Sequence, residues 1–214
     1  MFEAAERKFG QLNWWPGDTP LEISVGAILT QNTNWGNVEK AIAALKKAGV
    51  MNAAALHGMP VERLAVLIRP AGYYNIKAAR LKNFLKFLHD NYGGQLENMR
   101  ENNLPVLRRE LLSVNGIGPE TADSILLYAL EKPVFVIDAY TMRILKRHGL
   151  TSEAGSYHGL QSLFYNCLEP DVKIFNQFHA FFVMLGKEYC RPKPQCEGCP
   201  LVDLSGAPAQ PGRA

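Results

Sequence analysis

The chain has 214 residues, 47% of them hydrophobic and 20% charged, with a formal net charge of +3 and a pI near 8.6. That length is enough for one large domain or two small ones with a proper core, and the mild basicity admits a nucleic-acid partner without requiring one. No run of about 18 apolar residues marks a membrane span, the N-terminal MFEAAERKFG lacks the apolar core of a secretory signal, and three of the four cysteines crowd into residues 190–199 as a ligand-like cluster, so the expected location is cytoplasmic.

In chain order, LEISVGAILTQN at 21–32 carries apolar residues at helical spacing, with Ile23, Gly26, Ala27 and Thr30 on one face. Val38, Ile42 and Leu45 repeat the pattern over 37–48, and a short helix over 61–68 stops ahead of Pro70. Residues 76–91, IKAARLKNFLKFLHDN, are amphipathic: Leu81, Phe84, Leu85 and Leu88 are expected inward, and Lys77, Lys82 and Lys86 outward. Tyr73 and Tyr74 suit a pocket or a core equally. Helices over 105–113 and 119–130 flank NGIG at 115–118, and others follow near 139–148, 157–168 and 171–187. Only VFVID at 134–138 has strand character, and residues 205–214 are expected to be a disordered tail. The fold class is therefore all-α.

The NGIG turn has a specific physical reading. Glycines at 116 and 118 permit positive φ and close backbone approach, Pro119 suits the first turn of the next helix, and Ile117 points into the groove between the helices. The N–H groups around Gly116, Gly118 and Glu120 then face outward and can hold a phosphate without side-chain charge. The alternative is an ordinary turn between two helices. Asp138 follows VFVI where a helix begins, which suits an N-cap. Arg69, Lys77, Arg80, Lys82 and Lys86, and then Arg143, Lys146, Arg147 and His148, form basic groups able to track phosphates or merely to solvate a helix face.

LLSVNGIGPETADSILLYA followed by VFVIDAYTMRILKRHG, with GAILTQNT at 26–33 and the cysteine cluster, resembles the helix-hairpin-helix glycosylases of the endonuclease III superfamily. WWPGDTPLEISVGAILTQNTNW and IRPAGYYNIKAARL are similar to its 3-methyladenine DNA glycosylase III branch. The resemblance implies a two-lobed fold. Residues 21–130 would form a helical barrel lobe with the hairpin at about 105–130, residues 1–20 and 131–204 the second lobe, and the base pocket would lie in the cleft.

The resemblance also assigns roles. Asn115, Gly116, Ile117 and Gly118 grip the DNA backbone, aided by Arg143, Lys146, Arg191 and Lys193. Gln31 fills the gap left by a flipped base, unless it simply ends its helix. Trp14, Trp15 and Trp35 are the base-pocket candidates, with Lys187 approaching from the C-terminal helix, because an electron-poor alkylated purine stacks well on indole. Asp138 stabilises an oxocarbenium-like sugar and orients water, a role compatible with capping, since one oxygen can serve each. Bifunctional members carry a lysine in G-x-G-x-K-T-A, where this chain reads GIGPETA. Glu120 cannot form a Schiff base, so the implied enzyme is a monofunctional glycosylase acting on alkylated purines such as 3-methyladenine. The alternatives are a glycosylase/lyase for oxidised pyrimidines, working through Lys187 or Lys146, and a non-catalytic DNA-binding module. The implied partner is double-stranded DNA with a damaged base, bound by a monomer.

Cys190, Cys196 and Cys199 read C-x5-C-x2-C, against the superfamily's usual C-x6-C-x2-C-x5-C, and Ser205 stands at the fourth position. A [4Fe–4S] cluster with an incomplete cysteine set, a zinc ion, and no metal remain open. Cys167 belongs to a different helix pattern.

Overall fold

The computed structural model describes residues 1–12, 14–151 and 155–204, so Ser205 and the tail that follows it lie outside the described residues. Those described form helices and turns, with no strand among them. The chain divides into two compact units: Met1–Trp14 with Pro133–Ala214, and Trp15–Lys132.

The Trp15–Lys132 unit follows α1 (Phe2–Phe9) in the chain. It holds α2 (Pro20–Thr30), α3 (Trp35–Lys47), α4 (Ala53–Gly58), α5 (Val61–Leu67), α6 (Tyr74–Tyr92), α7 (Leu104–Ser113) and α8 (Pro119–Ser124). Helix α8 runs on as a π-helical turn, Ile125–Ala129, and 3-10 turns lie at Arg69–Ala71 and Glu97–Met99. The helix starts follow local chemistry: the side chains of Thr19, Asn34, Asn52 and Asn103 each accept a backbone N–H in the first turn of α2, α3, α4 and α7. Leu81, Phe84, Leu85 and Leu88 are buried, as the helical period requires.

The lysines of α6 depart from expectation. Lys77 is not on the solvent face but 1% exposed. Its Nζ donates to the Leu29 carbonyl at 2.8 Å and the Ala71 carbonyl at 2.7 Å, tying the end of α2 to the turn before α6. Burial, with Arg80 nearby, lowers its pKa to about 8. Half-buried Lys82 likewise donates to the carbonyls of Leu56, His57 and Met59 where α4 ends. The pattern misled because an ammonium can satisfy the orphan carbonyls of helix ends as well as water can. Lys86 is exposed, as expected.

The other unit joins α1 to α9 (Ala139–Arg147), α10 (Tyr157–Tyr165) and α11 (Val172–Glu188). Phe2 packs edge-on against Phe178 and Phe181 of α11, and Gln177 straps the N-terminal segment by donating to the Gly10 carbonyl at 2.8 Å and accepting from Leu12 N at 3.1 Å. Residues 134–138 are buried without a ladder partner. Helix α10 satisfies their backbone instead. The Phe135 carbonyl accepts from Gln161 Nε2 at 2.7 Å, while the N–H groups of Phe135 and Ile137 donate to the Tyr165 and Tyr157 hydroxyls at 3.3 Å. Phe135 stacks on Phe164 with ring centroids 3.6 Å apart. Its apolar burial and side-chain hydrogen bonds together replace a sheet.

Candidate active site

In the unit with the split sequence, Asp138 caps α9 and is 8% exposed. Its Oδ1 accepts from Thr141 N at 2.7 Å and Thr141 Oγ1 at 2.8 Å. Its Oδ2 lies 3.6 Å from Nε2 of His179, buried in α11: an ion-pair distance, too long for a hydrogen bond. Burial pushes the carboxyl up, but facing His179 and the Thr141 donors outweigh it and hold Asp138 below the usual carboxylate range. The result is a buried, ionised acid with one oxygen consumed by the fold.

Lys187 is exposed in the last turn of α11, and its Nζ stands 5.5 Å from the ring centroid of half-buried Trp14. Those two candidates are brought together. Arg143 is occupied by the fold: its Nε donates to the Cys190 carbonyl at 2.6 Å and Nη2 to the Gly186 carbonyl at 3.3 Å, with the guanidinium 5.1 Å from the Tyr140 ring centroid. Gly186 is required there, because a Cβ would meet Tyr140 Cδ1 at 2.2 Å. Lys146, Arg191 and Lys193 are exposed.

The cysteine loop hangs on the far end of α9. Arg147 Nη1 reaches the Arg191 carbonyl at 2.5 Å and lies 3.2 Å from Cys190 Sγ, while Nη2 donates to the Pro192 carbonyl at 2.8 Å. Cys190, Cys196 and Cys199 line one cavity of about 30 Å³ with Leu185, Tyr189 and Leu201. Burial pushes the Cys199 thiol up, and neighbouring Cys196 and Cys190 add to the rise. Among the described residues no three His, Cys, Asp or Glu side chains are arranged to hold a metal ion. Soft sulfur donors suit a thiolate-bound cluster and a zinc ion alike. Cys167 is exposed and does not line this cavity.

In the Trp15–Lys132 unit the hairpin takes the expected local form. Ile117 is buried, Gly116 has φ +95°, and Gly118 starts α8 without a side-chain cap, with Pro119 in the first turn. Asn115 is exposed, and its carbonyl accepts from Asn83 Nδ2 at 3.0 Å. Glu120 is exposed in the first turn of α8.

Gln31 ends α2 and is tied to this turn. Its Nε2 donates to the Gly116 carbonyl at 3.0 Å and to Thr121 Oγ1 at 2.9 Å, while its Oε1 accepts from Arg80 Nη1 at 2.5 Å. Trp15 meets Trp35 edge-on with centroids 5.2 Å apart and lies 4.9 Å from Tyr128. Trp35 Nε1 donates to Glu39 at 2.8 Å. Thus Trp15 and Trp35 gather in one unit and Trp14 pairs with Lys187 in the other. Tyr73 is 64% exposed in a left-handed backbone conformation (φ 45°), and Tyr74 is half-buried. Sequence reasoning missed His179 and Arg80's grip on Gln31. Thr141, three residues after Asp138, had a legible capping spacing.

Comparison with known proteins gives the family. Over 197 residues, 92% of this chain and 90% of the relative, it is 46% identical to MJ1434 of Methanocaldococcus jannaschii, a protein provisionally named a DNA repair glycosylase. It is 28% identical to the endonuclease III of Thermotoga maritima over 84% of this chain and 79% of that one. Among solved structures, the H. pylori 3-methyladenine DNA glycosylase MagIII bound to 1,N6-ethenoadenine is 30% identical, with a TM-score of 0.75 over 87% of this chain and 95% of that chain. An endonuclease III–DNA complex shares the fold at TM-score 0.81 and 22% identity, over 95% and 91% of the two chains. Residues 25–170 match the family directly, and the chain belongs to the HhH-GPD superfamily of base excision DNA repair proteins.

Proposed function

We propose that this protein is a monofunctional DNA glycosylase that hydrolyses the N-glycosidic bond of alkylated purines such as 3-methyladenine in double-stranded DNA. The observation that carries the reading is Asp138, a buried acid held ionised with Oδ2 outside the helix cap. As the C1′–N bond breaks, its electron pair leaves with the purine and positive charge develops on the sugar. The Asp138 carboxylate stabilises that charge. Water then adds its oxygen to C1′ and gives up a proton. A methylated purine is cationic and departs neutral, so it needs little acid catalysis. The similarity to a 3-methyladenine glycosylase at 30% identity supports the substrate class.

The hairpin at Asn115–Gly118 serves as the backbone clamp, Gln31 as the residue that fills the vacated stack, and Trp14, Trp15 and Trp35 as stacking faces for the base. Exposed Tyr73, held in a left-handed turn, supplies a further ring to the duplex. Lys146, Arg191 and Lys193 add phosphate contacts. Arg143 acts through the cysteine loop it holds. Cys190, Cys196 and Cys199 would hold a [4Fe–4S] cluster, whose role when bound is to brace the loop.

A second reading, a glycosylase/lyase for oxidised pyrimidines, is favoured by one contact, that of Lys187 with Trp14. One experiment separates the two. Duplexes with single defined lesions are incubated with the protein, and strand breaks are compared with and without alkali. Intact abasic strands from an alkylated-purine duplex, with no adduct trapped by borohydride, are expected because Glu120 stands where the Schiff-base lysine would be. Robust trapping by the unmodified protein would overturn the monofunctional assignment and make Lys187 the first lysine to replace.

A further inference from the structure

We propose that His179 is a positioning residue for Asp138, facing Oδ2 across the α9–α11 packing and keeping the acid ionised for base release. The inference rests on the glycosylase reading above. Helix α11 is otherwise strongly apolar where it is buried, with Phe175, Phe178, Phe181, Phe182 and Val183 in the core. It carries two buried polar side chains near its middle, and they do different work. Gln177 is consumed by the N-terminal segment, through Gly10 and Leu12. His179 is 3% exposed and presents Nε2 to Asp138 at 3.6 Å.

Thr141 on α9 already holds Oδ1 with two neutral donors. A helix cap needs no more than that. His179 addresses the other oxygen, the one left for a reacting sugar, and it is the titratable group facing Asp138 from α11. Burial alone pushes a carboxyl toward its protonated form, and His179 joins the Thr141 donors in opposing that push.

The test reads the carboxyl directly, without substrate. The Asp138 side chain is titrated by ¹³C NMR in the wild type and in His179→Phe and His179→Gln, the resonance being assigned by its absence in Asp138→Asn. Both His179 variants should raise the Asp138 pKa by about one unit or more, the usual effect of losing an opposite charge at this range. The acid limb of 3-methyladenine release from methylated DNA should move to higher pH by the same amount, with KM little changed. His179→Gln, which keeps an N–H of similar reach, should retain more of the plateau rate than His179→Phe. An unchanged Asp138 pKa in a folded variant overturns the inference, and if His179→Phe fails to fold, the titration of His179→Gln decides the matter alone. If the pKa moves but the wild type releases no base from any lesion duplex, the pairing stands and the assigned reaction falls.

Discussion

Asp123 and Asp138 are both buried aspartates, one in each unit, and their surroundings differ in one respect. Asp123 is fully buried in α8, and Arg108 fills both its oxygens: Nε donates to Oδ1 at 2.7 Å and Nη2 to Oδ2 at 3.1 Å. Asp138 has only Oδ1 taken by hydrogen bonds at its cap, and Oδ2 faces an imidazole from beyond bonding distance. Burial therefore does not distinguish the proposed catalytic acid from a structural one in this chain. What sets Asp138 apart is an oxygen that the helix cap does not take. Asp123 braces the hairpin through Arg108, whereas Asp138, on the proposed reading, keeps one lone-pair face for chemistry.

The sharpest way to break that contrast is to neutralise each acid in turn. Asp138→Asn keeps shape and loses charge, so base release should fall by about 1000-fold or more, roughly 4 kcal/mol of transition-state stabilisation. Affinity for a lesion duplex should stay within about threefold. The same variant tests the pH linkage. Because the folded pKa of Asp138 is depressed, the ionised acid contributes stability that is fully present above its unfolded value, about 3.9, and lost as pH falls through the folded value. Urea midpoints of the Asn variant should therefore fall less steeply below about pH 4 than those of the wild type. Wild-type turnover by Asp138→Asn would remove it from the mechanism.

Asp123→Asn should do the opposite. Breaking a buried pair leaves Arg108 without its counter-charge, and since Arg108 is 17% exposed the cost belongs near the low end of the usual range, about 3 kcal/mol of unfolding free energy. Base release per folded molecule should be unchanged. Equal loss of activity in both variants, with stability untouched, would erase the distinction between them.

The difference between the two acids was only half legible in the sequence. Asp138 announced itself because an apolar run, an acid and a basic helix sit next to one another in the chain. The hairpin did so because glycine spacing and a helix-starting proline are local facts. His179 gave no such signal: it lies 41 positions beyond Asp138 within an aromatic helix, and only tertiary packing aims it at Oδ2. Lys77 shows the converse failure. Its place in the amphipathic pattern of α6 pointed to water, but the carbonyls of Leu29 and Ala71 attract an ammonium as solvent would. VFVID has strand composition, but its backbone partners are side chains of α10 that no periodicity specifies. Local motifs thus carried the family and singled out Asp138 as a candidate. Long-range side-chain partners, which decide how the acid is tuned, were invisible.

The smallest expected effect probes the hairpin that Asp123 supports. Gly116 has φ +95°, and a Cβ there would lie 2.2 Å from Arg80 Cγ and 2.9 Å from Cδ. Arg80 cannot simply swing aside, because its guanidinium is fastened to Gln31, which in turn holds the Gly116 carbonyl. Gly116→Ala should therefore cost about 1–3 kcal/mol, shared between backbone strain and the broken Arg80–Gln31 contact. Affinity for undamaged duplex should fall about tenfold, a loss of similar size. The slope of log affinity against log salt should not change, since no cation is removed. Adding Arg80→Ala separates the two causes. It relieves the clash but leaves the positive φ, so the double variant should recover part of the stability lost by Gly116→Ala while its salt slope drops by about one if Arg80 also meets a phosphate. No recovery at all would assign the whole cost to the backbone and leave Arg80 with no part in shaping the turn.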